Sequence, residues 1–355
     1  MTDLFLILFF IITLPIINYV LIKSNFFLDQ NLSNIQKHKK LLLKKNQKTP
    51  LSGSFYFLIF LLLLCQEPEN YNLFIATSCL IFLGMMADTS VLDSPNKRFF
   101  IQFILIFSFV YIDTNLIILL KIDFIDFFLE NNLLRIFFVT FCLMILINGY
   151  NFIDGTNLLT SLNFLIVSYF LYSLIEIPSN FYLYNEIKTL IIILLIFTAF
   201  NSLGKNFLGD GGTYGISFFL GVAAILIVKL NPSISPYFIA NLFWYPAFEN
   251  LFTILRRSLN KKKNFKPDNY HLHQLIFLSL SVKSKILKSS MTGALINLYL
   301  FFILALCFKD YSNTKYQVLF LFINSLIYLI VYYILSKKVK LTQFEYFIFF
   351  NSLLI

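Results

Sequence analysis

The chain has 355 residues, of which 58% are hydrophobic and only 13% are charged, and its mean hydropathy is +0.77. A typical soluble domain carries about 25% charged residues, so this composition excludes an ordinary soluble protein. The formal net charge of +10 is explained by basic residues beside membrane spans, which also favour anionic lipid headgroups. We therefore predict membrane contact and no nucleic-acid binding.

Apolar runs long enough to span a bilayer recur along the whole chain. A spanning helix needs about 20 mostly apolar residues, and about eleven segments (10–11) qualify. We predict an all-α integral membrane protein, a polytopic bundle of about eleven transmembrane helices that forms one domain over residues 1–355. The first run is expected to be retained rather than cleaved, because Asp3 stands where a signal peptide carries basic residues. The predicted spans are 3–22, 52–66, 72–87, 99–120, 133–148, 157–176, 187–203, 213–229, 236–255, 290–308 and 316–336, and the apolar tail 344–355 is too short to span.

The distribution of basic residues predicts the orientation of these spans. Most of the 28 Lys and Arg residues fall in segments that are cytoplasmic if the N-terminus lies outside. The loops 66–71 and 121–132 are acidic instead. We therefore predict an outside N-terminus and an inside C-terminus, with cytoplasmic loops near 23–51, 88–98, 149–156, 204–212 and 256–289.

Polar residues at membrane helix ends are costly and indicate function by default, and two such blocks come early. Lys48-Thr-Pro-Leu-Ser-Gly53 enters the second span, where glycine and proline let backbone approach a ligand; an ordinary turn is the alternative. Asp88 ends a purely apolar helix, and the basic pair Lys97-Arg98 follows within one short loop. That pattern suits a metal or a phosphate, although snorkelling side chains at a helix end would produce it too.

Two further blocks follow in the middle of the chain. Asn148, Asn151, Asp154 and Asn157 recur at every third position. Neighbours three apart share a helix face, so the spacing indicates a polar stripe more than a solvated loop. The next block runs from Asn206 to Asp210, and glycines follow at the start of a helix. Free backbone N–H groups there suit phosphate, and the carboxylate suits a divalent cation.

The last block lies in the longest predicted cytoplasmic loop. It contains Arg256, Arg257, His271 and His273. Zinc is disfavoured because no further soft ligand is near the histidines, so anion contact is the better interpretation. Glu249, in the same span as Arg256, is expected to pair with a group on a neighbouring helix.

In this order and spacing the blocks resemble the polyprenyl-phosphate N-acetylhexosamine-1-phosphate transferases, the superfamily of WecA-like and MraY-like enzymes. Asn148–Asn157 is similar to the family's N-x-x-N-x-x-D-G loop, and Asp210 stands at its Mg²⁺-binding aspartate. Asp88 matches the second of its paired aspartates, and Arg98 matches the basic residue after a Ser-Pro step. His271 and His273 match its H-x-H loop, and the preceding Pro267-Asp268 also agrees.

The chain departs from the family pattern at three positions. Ala87 replaces the first paired aspartate, Gln274 replaces a third histidine, and Ser54 replaces a glycine. The loop also lacks the H-H-H-F-E form of MraY, which favours the WecA-like branch. Ala87 is the one hint of an alternative, an inactive relative with a scaffold role.

The resemblance implies transfer of N-acetylhexosamine 1-phosphate from a UDP-sugar to undecaprenyl (polyprenyl) phosphate, with release of UMP. This would start a cell-surface glycan, such as O-antigen or a similar wall polysaccharide. It implies Mg²⁺, or alternatively Mn²⁺, held by Asp210 and Asn151. The implied catalytic residues are Asp88, Asn151, Asp154 and Asp210; the implied substrate-binding residues are Lys48, Arg98, Asn148, Asn157, Asn206, Arg256, His271 and His273.

The implied partners are a UDP-N-acetylhexosamine, a polyprenyl phosphate lipid and the membrane, with a homodimer left open. The implied location is the bacterial inner membrane, with the active site on the cytoplasmic face of a multi-pass protein. A membrane transporter or lipid-handling protein is the competing class, and it should carry polar groups at the midplane. Polar blocks concentrated at one membrane face favour the enzyme.

Overall fold

The computed structural model describes residues 3–30, 48–64, 68–113, 116, 119–175, 181–259 and 270–339. The predicted tail 344–355 and the loop residues Pro267 and Asp268 lie outside this part of the chain. The described part is almost entirely helical. Its helices are α1 (Asp3–Ser24), α2 (Gly53–Leu64), α3 (Tyr71–Asp88), α4 (Pro95–Ile112), α5 (Asp123–Leu129), α6 (Asn132–Ile153), α7 (Leu159–Ser173), α8 (Tyr184–Ser202), α9 (Gly209–Leu230), α10 (Pro236–Leu242), α11 (Trp244–Leu259), α12 (Leu272–Ser279), α13 (Lys285–Phe308) and α14 (Thr314–Lys338).

Two short strands accompany the helices, β1 (Leu28–Gln30) and β2 (Lys48–Pro50). They pair antiparallel with Asp29 opposite Thr49. This small hairpin links the end of α1 to the start of α2, so it fixes the entry of the chain into the second apolar helix.

Seven stretches of the described chain are long and apolar enough to cross a membrane, which confirms the predicted all-α polytopic membrane protein. They are Leu4–Ser24, Pro68–Asp88, Asn132–Ile153, Tyr184–Ser202, Gly209–Leu230, Lys285–Phe308 and Thr314–Lys338. Two shorter apolar helices, Gly53–Leu62 and Leu159–Ser173, add to them. The outer helices α1 and α14 expose mostly apolar side chains, as a lipid-facing surface does.

Two predicted spans differ most from the structure in their bounds. The run 236–255 is divided at Phe243 into α10 and α11, and Pro246 lies in the first turn of α11, where its missing N–H is tolerated. The run 99–120 begins earlier, because Ser94 and Pro95 start α4, and that helix already ends at Ile112. Apolar periodicity alone does not reveal such breaks.

Helix α9 lies at the centre of the bundle, with all its residues from Gly211 to Ile227 buried. It packs against α2, α3 and α6. The closest approach is to α3, where Gly84 faces the first turn of α9 so tightly that a Cβ on Gly84 would lie 2.5 Å from the carbonyl carbon of Asp210. This packing brings the end of α3 against the beginning of α9.

Candidate functional site

The candidate site lies where α3 and α6 end and α4 and α9 begin. Asp88 is the last residue of α3, and Asp210 lies in the first turn of α9. Arg98 lies in the first turn of α4, and Asn151 lies in the last turn of α6. Four helices therefore deliver one polar side chain each to the same end of the bundle.

The carboxylate of Asp210 is the centre of this group. Its Oδ2 accepts a hydrogen bond from Nη1 of Arg98 at 2.9 Å, which is also an ion pair. Its Oδ1 accepts from Nδ2 of Asn151 at 2.7 Å. The side chains of Arg98 and Asp210 are 17% and 13% exposed, so solvent screens this ion pair only partly.

Asp88 contacts the backbone of α9 rather than another side chain in this group. Its Oδ1 accepts from the backbone N–H of Asp210 at 2.9 Å, and its Oδ2 accepts from that of Gly211 at 3.3 Å. The first N–H groups of a helix have no intrahelical partner, and negative charge is favoured beside them. Gly209 has a φ of +74°, and a Cβ there would lie 2.6 Å from Oδ2 of Asp88.

Asp88 therefore acts as an acidic cap supplied by a neighbouring helix, and it sets the position of Asp210. This contact was not predicted from the sequence. A carboxylate that ends one apolar helix and a Gly-Asp-Gly-Gly string that opens another were the available signals, but their distance in sequence hid the connection.

The predicted polar stripe from Asn148 to Asn157 is divided between α6 and the loop that follows it. Asn148 donates to Oε1 of Gln102 on α4 at 3.1 Å and to the carbonyl of Met144 at 2.9 Å, so it joins α6 to α4. Asn151 reaches Asp210, and Asp154 directly follows the last residue of α6. Gln102 is buried in an otherwise apolar stretch, one turn after Arg98. Its contact with Asn148 was not predicted from the sequence.

Hydrogen bonds with residues of α8 and α13 hold the loop after Asp154 in place. The backbone N–H of Asn157 donates to Oγ of Ser289 at 2.7 Å. Leu158 has a φ of +65°, which is costly for a non-glycine residue and needs surrounding support. Its N–H donates to Oδ1 of Asn201 at 2.7 Å, and its carbonyl accepts from Nδ2 of Asn297 at 3.1 Å. The side chain of Asn157 therefore starts from a fixed backbone.

The predicted block Lys48–Gly53 lies against residues 206–208, the segment that leads to Asp210. The backbone N–H of Phe207 donates to the carbonyl of Pro50 at 3.0 Å, and that of Gly53 donates to the carbonyl of Phe207 at 3.2 Å. Lys48 donates from Nζ to Oδ1 of Asn25 at 2.7 Å. The structure thus places the Lys48–Gly53 backbone beside this segment, whereas the Lys48 ammonium contacts Asn25, which directly follows α1.

Asn206 is fully buried in this segment. Its backbone carbonyl accepts from Nδ2 of Asn201 at 2.8 Å. Neither polar atom of its side chain has a hydrogen-bond partner within the described residues. A buried amide without partners costs about 1–3 kcal/mol per group, so Asn206 is well suited to a polar ligand.

The predicted histidine pair lies against the end of α6. The rings of His271 and His273 stack with centroids 5.6 Å apart. His273 is fully buried and packs on Gly155, at which no Cβ could be accommodated. His271 lies 5.6 Å from the ring of Phe152. Phe152 and Gly155 lie one and four residues after Asn151. The histidine segment, residues 270–273, therefore contacts the stretch of chain that also supplies Asn151 to Asp210.

Both arginines at the end of α11 are buried. The guanidinium of Arg256 lies over the ring of Tyr270 at 5.5 Å, and that of Arg257 lies over Phe152 at 5.7 Å. Such cation–π contacts help to hold a guanidinium in place. The two arginines therefore lie close to the histidine pair, in a position that suits contact with an anionic ligand.

The side chains of this site fit the predicted Mg²⁺ only as part of a ligand set. Within the ranges that the structure describes, no group of three or more His, Cys, Asp or Glu residues could hold a metal. Mg²⁺ commonly uses one or two carboxylates together with phosphate oxygens and water. Asp210 with the amide oxygen of Asn151, after rotation of that amide, meets this requirement once a diphosphate supplies the remaining ligands.

Burial of His273 predicts a pH-dependent stability. Desolvation, followed by the neighbouring His271, holds the pKa of His273 well below its ordinary value of 6.5. Below about pH 6.5 the unfolded chain therefore binds a proton that the folded chain does not, and stability falls as the pH falls. We expect the unfolding free energy in detergent to fall by about 1.4 kcal/mol in total between about pH 7.5 and 5.5, and the thermal midpoint to fall with it.

His273→Gln removes this titration. The difference between the variant and the parent protein therefore isolates the contribution of His273 from those of the two other histidines. The variant should show a flatter dependence of its thermal midpoint on pH than the parent protein. Equal slopes in the two proteins would show that His273 is not buried in its neutral form.

A comparison with known families matches the part of the chain that contains Asp210 and the residues around it. Residues 71–228, less than half of the chain, match the family model described as glycosyl transferase family 4. This segment runs from the start of α3 almost to the end of α9. It contains Asp88, Arg98, Asn151 and Asp210, but not the histidine segment. No curated protein matches the chain.

Proposed function

We propose a specific reaction for this chain, of which residues 71–228 match the model of glycosyl transferase family 4. The family supports a polyprenyl-phosphate sugar-1-phosphate transferase kind of function in a multi-pass membrane protein. Our proposal is finer: the protein transfers N-acetylhexosamine 1-phosphate from a UDP-sugar to a polyprenyl phosphate such as undecaprenyl phosphate. The product would start a cell-surface glycan, as in the WecA-like branch.

One observation carries this proposal. Asp210 stands at the N-terminus of the central helix α9, bonded on one side to Arg98 and on the other to Asn151. An arginine recognises phosphate with paired N–H donors, and a carboxylate beside an amide suits a divalent cation that binds phosphate. A nucleotide diphosphate would meet both features at one point.

The reaction needs positioning and charge stabilisation more than proton transfer. A phosphate oxygen of the lipid attacks the β-phosphorus of the UDP-sugar and forms a new P–O bond. The bond from that phosphorus to the bridging oxygen breaks, and UMP leaves with the electron pair. The second pKa of a phosphate monoester is about 6, so the acceptor is mostly dianionic at neutral pH and needs no general base.

The missing first carboxylate at Ala87 is compatible with this chemistry. Phosphoryl transfer depends mainly on in-line positioning and on neutralising charge at the transferred group. Asp88 already holds the start of α9 through backbone hydrogen bonds, so the framework of the site does not depend on residue 87.

A divalent cation fits this scheme. Bound Mg²⁺ would neutralise charge on the diphosphate and stabilise the leaving oxygen. Asp210 and Asn151 are the residues that would hold it. Arg98, which pairs with Asp210 in the structure, is then free to contact a phosphate oxygen.

The remaining polar residues are assigned by their surroundings. Asn206, buried without a side-chain partner, and Asn157, on its supported loop, are proposed to contact the uridine or to shape its pocket. His271, His273 and Arg256 are proposed to contact phosphate or sugar. We further propose that this end of the bundle faces the cytoplasm of a bacterial inner membrane, where nucleotide sugars are available and basic residues are favoured.

A transfer assay tests the proposal directly. Purified protein in detergent is incubated with Mg²⁺, undecaprenyl phosphate and a panel of labelled UDP-sugars that includes GlcNAc and GalNAc. We expect labelled lipid and UMP in equal amounts for at least one N-acetylhexosamine, and loss of both when EDTA is added. No labelled lipid and no UMP with any sugar would support the inactive alternative instead.

A further inference from the structure

The last described helix, α14, contacts Glu249 on α11 and Tyr270 beside His271 through two tyrosines one turn apart. Tyr328 donates from its hydroxyl to Oε2 of Glu249 at 2.7 Å. Tyr332 donates to the backbone carbonyl of Tyr270 at 3.0 Å. The two tyrosine rings stack at 5.9 Å, so both hydroxyls leave the same face of α14. This helix lies outside the segment that matches the family model.

Glu249 connects Tyr328 to His271. It is fully buried on α11, and its Oε1 lies 2.9 Å from Nδ1 of His271. A buried carboxylate is tolerated only when hydrogen bonds satisfy it. Here each oxygen has a different partner, one from α14 and one from the histidine segment. This contact confirms the expectation that Glu249 pairs with a group on a neighbouring helix.

The bond from Glu249 determines which ring nitrogen of His271 carries a proton. An ionised carboxylate only accepts hydrogen bonds, so Nδ1 must be the donor. The neutral ring therefore keeps its proton on Nδ1, and Nε2 is the nitrogen that can accept a hydrogen bond. Orientation of a functional imidazole by a carboxylate is a recurrent arrangement, because it fixes both the tautomer and the ring plane.

Aromatic packing makes this arrangement rigid. The ring of Phe252 on α11 lies 5.2 Å from Tyr328 and 4.8 Å from Tyr332, and Phe248 lies 4.9 Å from Tyr328. Edge-to-face contacts of this kind add to the burial energy and restrict ring rotation. The tyrosine hydroxyls are thus held where Glu249 and Tyr270 need them.

We propose that Glu249 and Tyr328 are positioning residues for His271. Tyr328 orients the carboxylate of Glu249, and Glu249 holds the imidazole in the Nδ1–H form and at a fixed angle. In the sugar-phosphate transfer proposed above, on which this inference rests, His271 then meets its substrate without a search among ring orientations. The last helix of the described bundle thereby contributes to a site whose centre lies on α9.

Two conservative variants and one matched control test the proposal. Glu249→Gln keeps the shape of the side chain but removes its charge, and Tyr328→Phe keeps the ring but removes the hydroxyl. Tyr316→Phe makes the same change on the same helix, at a hydroxyl that bonds an exposed carbonyl of Leu306 at 3.4 Å. Thermal unfolding identifies any variant that is not folded, and Tyr328→Phe decides the outcome if Glu249→Gln does not fold.

The first measurement is ¹⁵N NMR of the histidine rings, which separates the two tautomers. Spectra are recorded at about pH 8, above the ordinary histidine pKa of about 6.5. The chain has 3 histidines, so spectra of His271→Gln and His273→Gln assign the signals. We expect the Nδ1–H form of His271 in the parent and in Tyr316→Phe, and a mixture of tautomers in Glu249→Gln and Tyr328→Phe.

The second measurement is the rate of transfer. We expect Glu249→Gln to lower kcat by about 10- to 100-fold, the range found when the partner of a ligating histidine is removed. Tyr328→Phe should cause a smaller fall, and Tyr316→Phe should have no effect. An Nε2–H tautomer in the parent, or parental tautomer and rate in both variants, would overturn the proposal. Absence of transfer in the parent counts against the proposed function alone, because the NMR result stands without activity.

Discussion

Asp210→Asn is expected to lower the rate of sugar-phosphate transfer by about 10²- to 10³-fold, the effect of removing one preorganised electrostatic group from a transition state. The change removes the charge that pairs with Arg98 and that would help to hold a divalent cation. Transfer is measured with undecaprenyl phosphate and the preferred UDP-sugar at saturating Mg²⁺.

The fold should survive this substitution, which makes the result interpretable. Asp88 bonds the backbone N–H of residue 210 and not its side chain, so the contact between α3 and α9 remains. The side chain of an asparagine can still accept a hydrogen bond from Asn151. We therefore expect the thermal midpoint to change little while the rate collapses.

Asp123→Asn is the matched control. Asp123 is an exposed residue in the first turn of α5, a helix that precedes α6, whereas the site lies at the far end of α6. This variant should keep the parental rate. Equal rates in Asp210→Asn and the parent would remove Asp210 from the centre of the site, and with it the main support for the proposed reaction.

The membrane architecture could be predicted because bilayer physics leaves few choices. A long apolar segment must satisfy its own backbone groups, so it forms a helix. Expectation and structure differ where a local break interrupts an apolar run, as at Phe243 between α10 and α11. Mean hydropathy over a long window does not detect such a break. The break depends on Pro246 and on the tertiary contacts of α11.

The members of the site were predictable for a different reason. Polar residues in apolar helices are costly, so Asp88, Asn151 and Asp210 stood out against their surroundings. Their spacing in the motif blocks suggested one site, and the structure brings Asp210 together with Arg98 and Asn151. Their roles within it remain predictions of the resemblance.

The supporting contacts could not be predicted from patterns along the chain. The cap that Asp88 provides for α9 joins residues that are 122 positions apart. The bond from Asn297 to Leu158 spans 139 positions. Each depends on how helices pack against one another, and a single Asn or Tyr in a membrane helix carries no sign of its partner. Such residues hold the site without belonging to any motif.

The packing of α3 against α9 leads to the second large expected effect. Gly84→Ala is expected to lower stability by about 1–3 kcal/mol, the usual cost of overpacking a tight interface. The added methyl would lie 2.5 Å from the carbonyl carbon of Asp210 and close to the backbone of Gly211. Backbone atoms in the first turn of a buried helix cannot rotate away, so the helices themselves must separate.

This separation should also impair transfer. Gly84 lies one turn before Asp88, so a shift of α3 stretches the bonds from Asp88 to α9 and displaces Asp210. Misplacement of a catalytic group by about 1 Å can cost about 10²-fold in rate. We therefore expect Gly84→Ala to reduce the rate even at temperatures where the protein stays folded, as measured by transfer and thermal unfolding on the same preparation.

Gly221→Ala separates this effect from the general cost of a methyl group. A Cβ on Gly221, also in α9, would meet the Cδ2 atoms of Leu143 and Leu146 at 2.8 and 2.9 Å. These are the ends of flexible side chains, which can rotate away. Gly221→Ala should therefore be the milder variant in both assays. If the two alanine variants behaved alike, the close backbone approach of α3 to α9 would not be what positions Asp210, and the cap formed by Asp88 would lose its significance for the reaction.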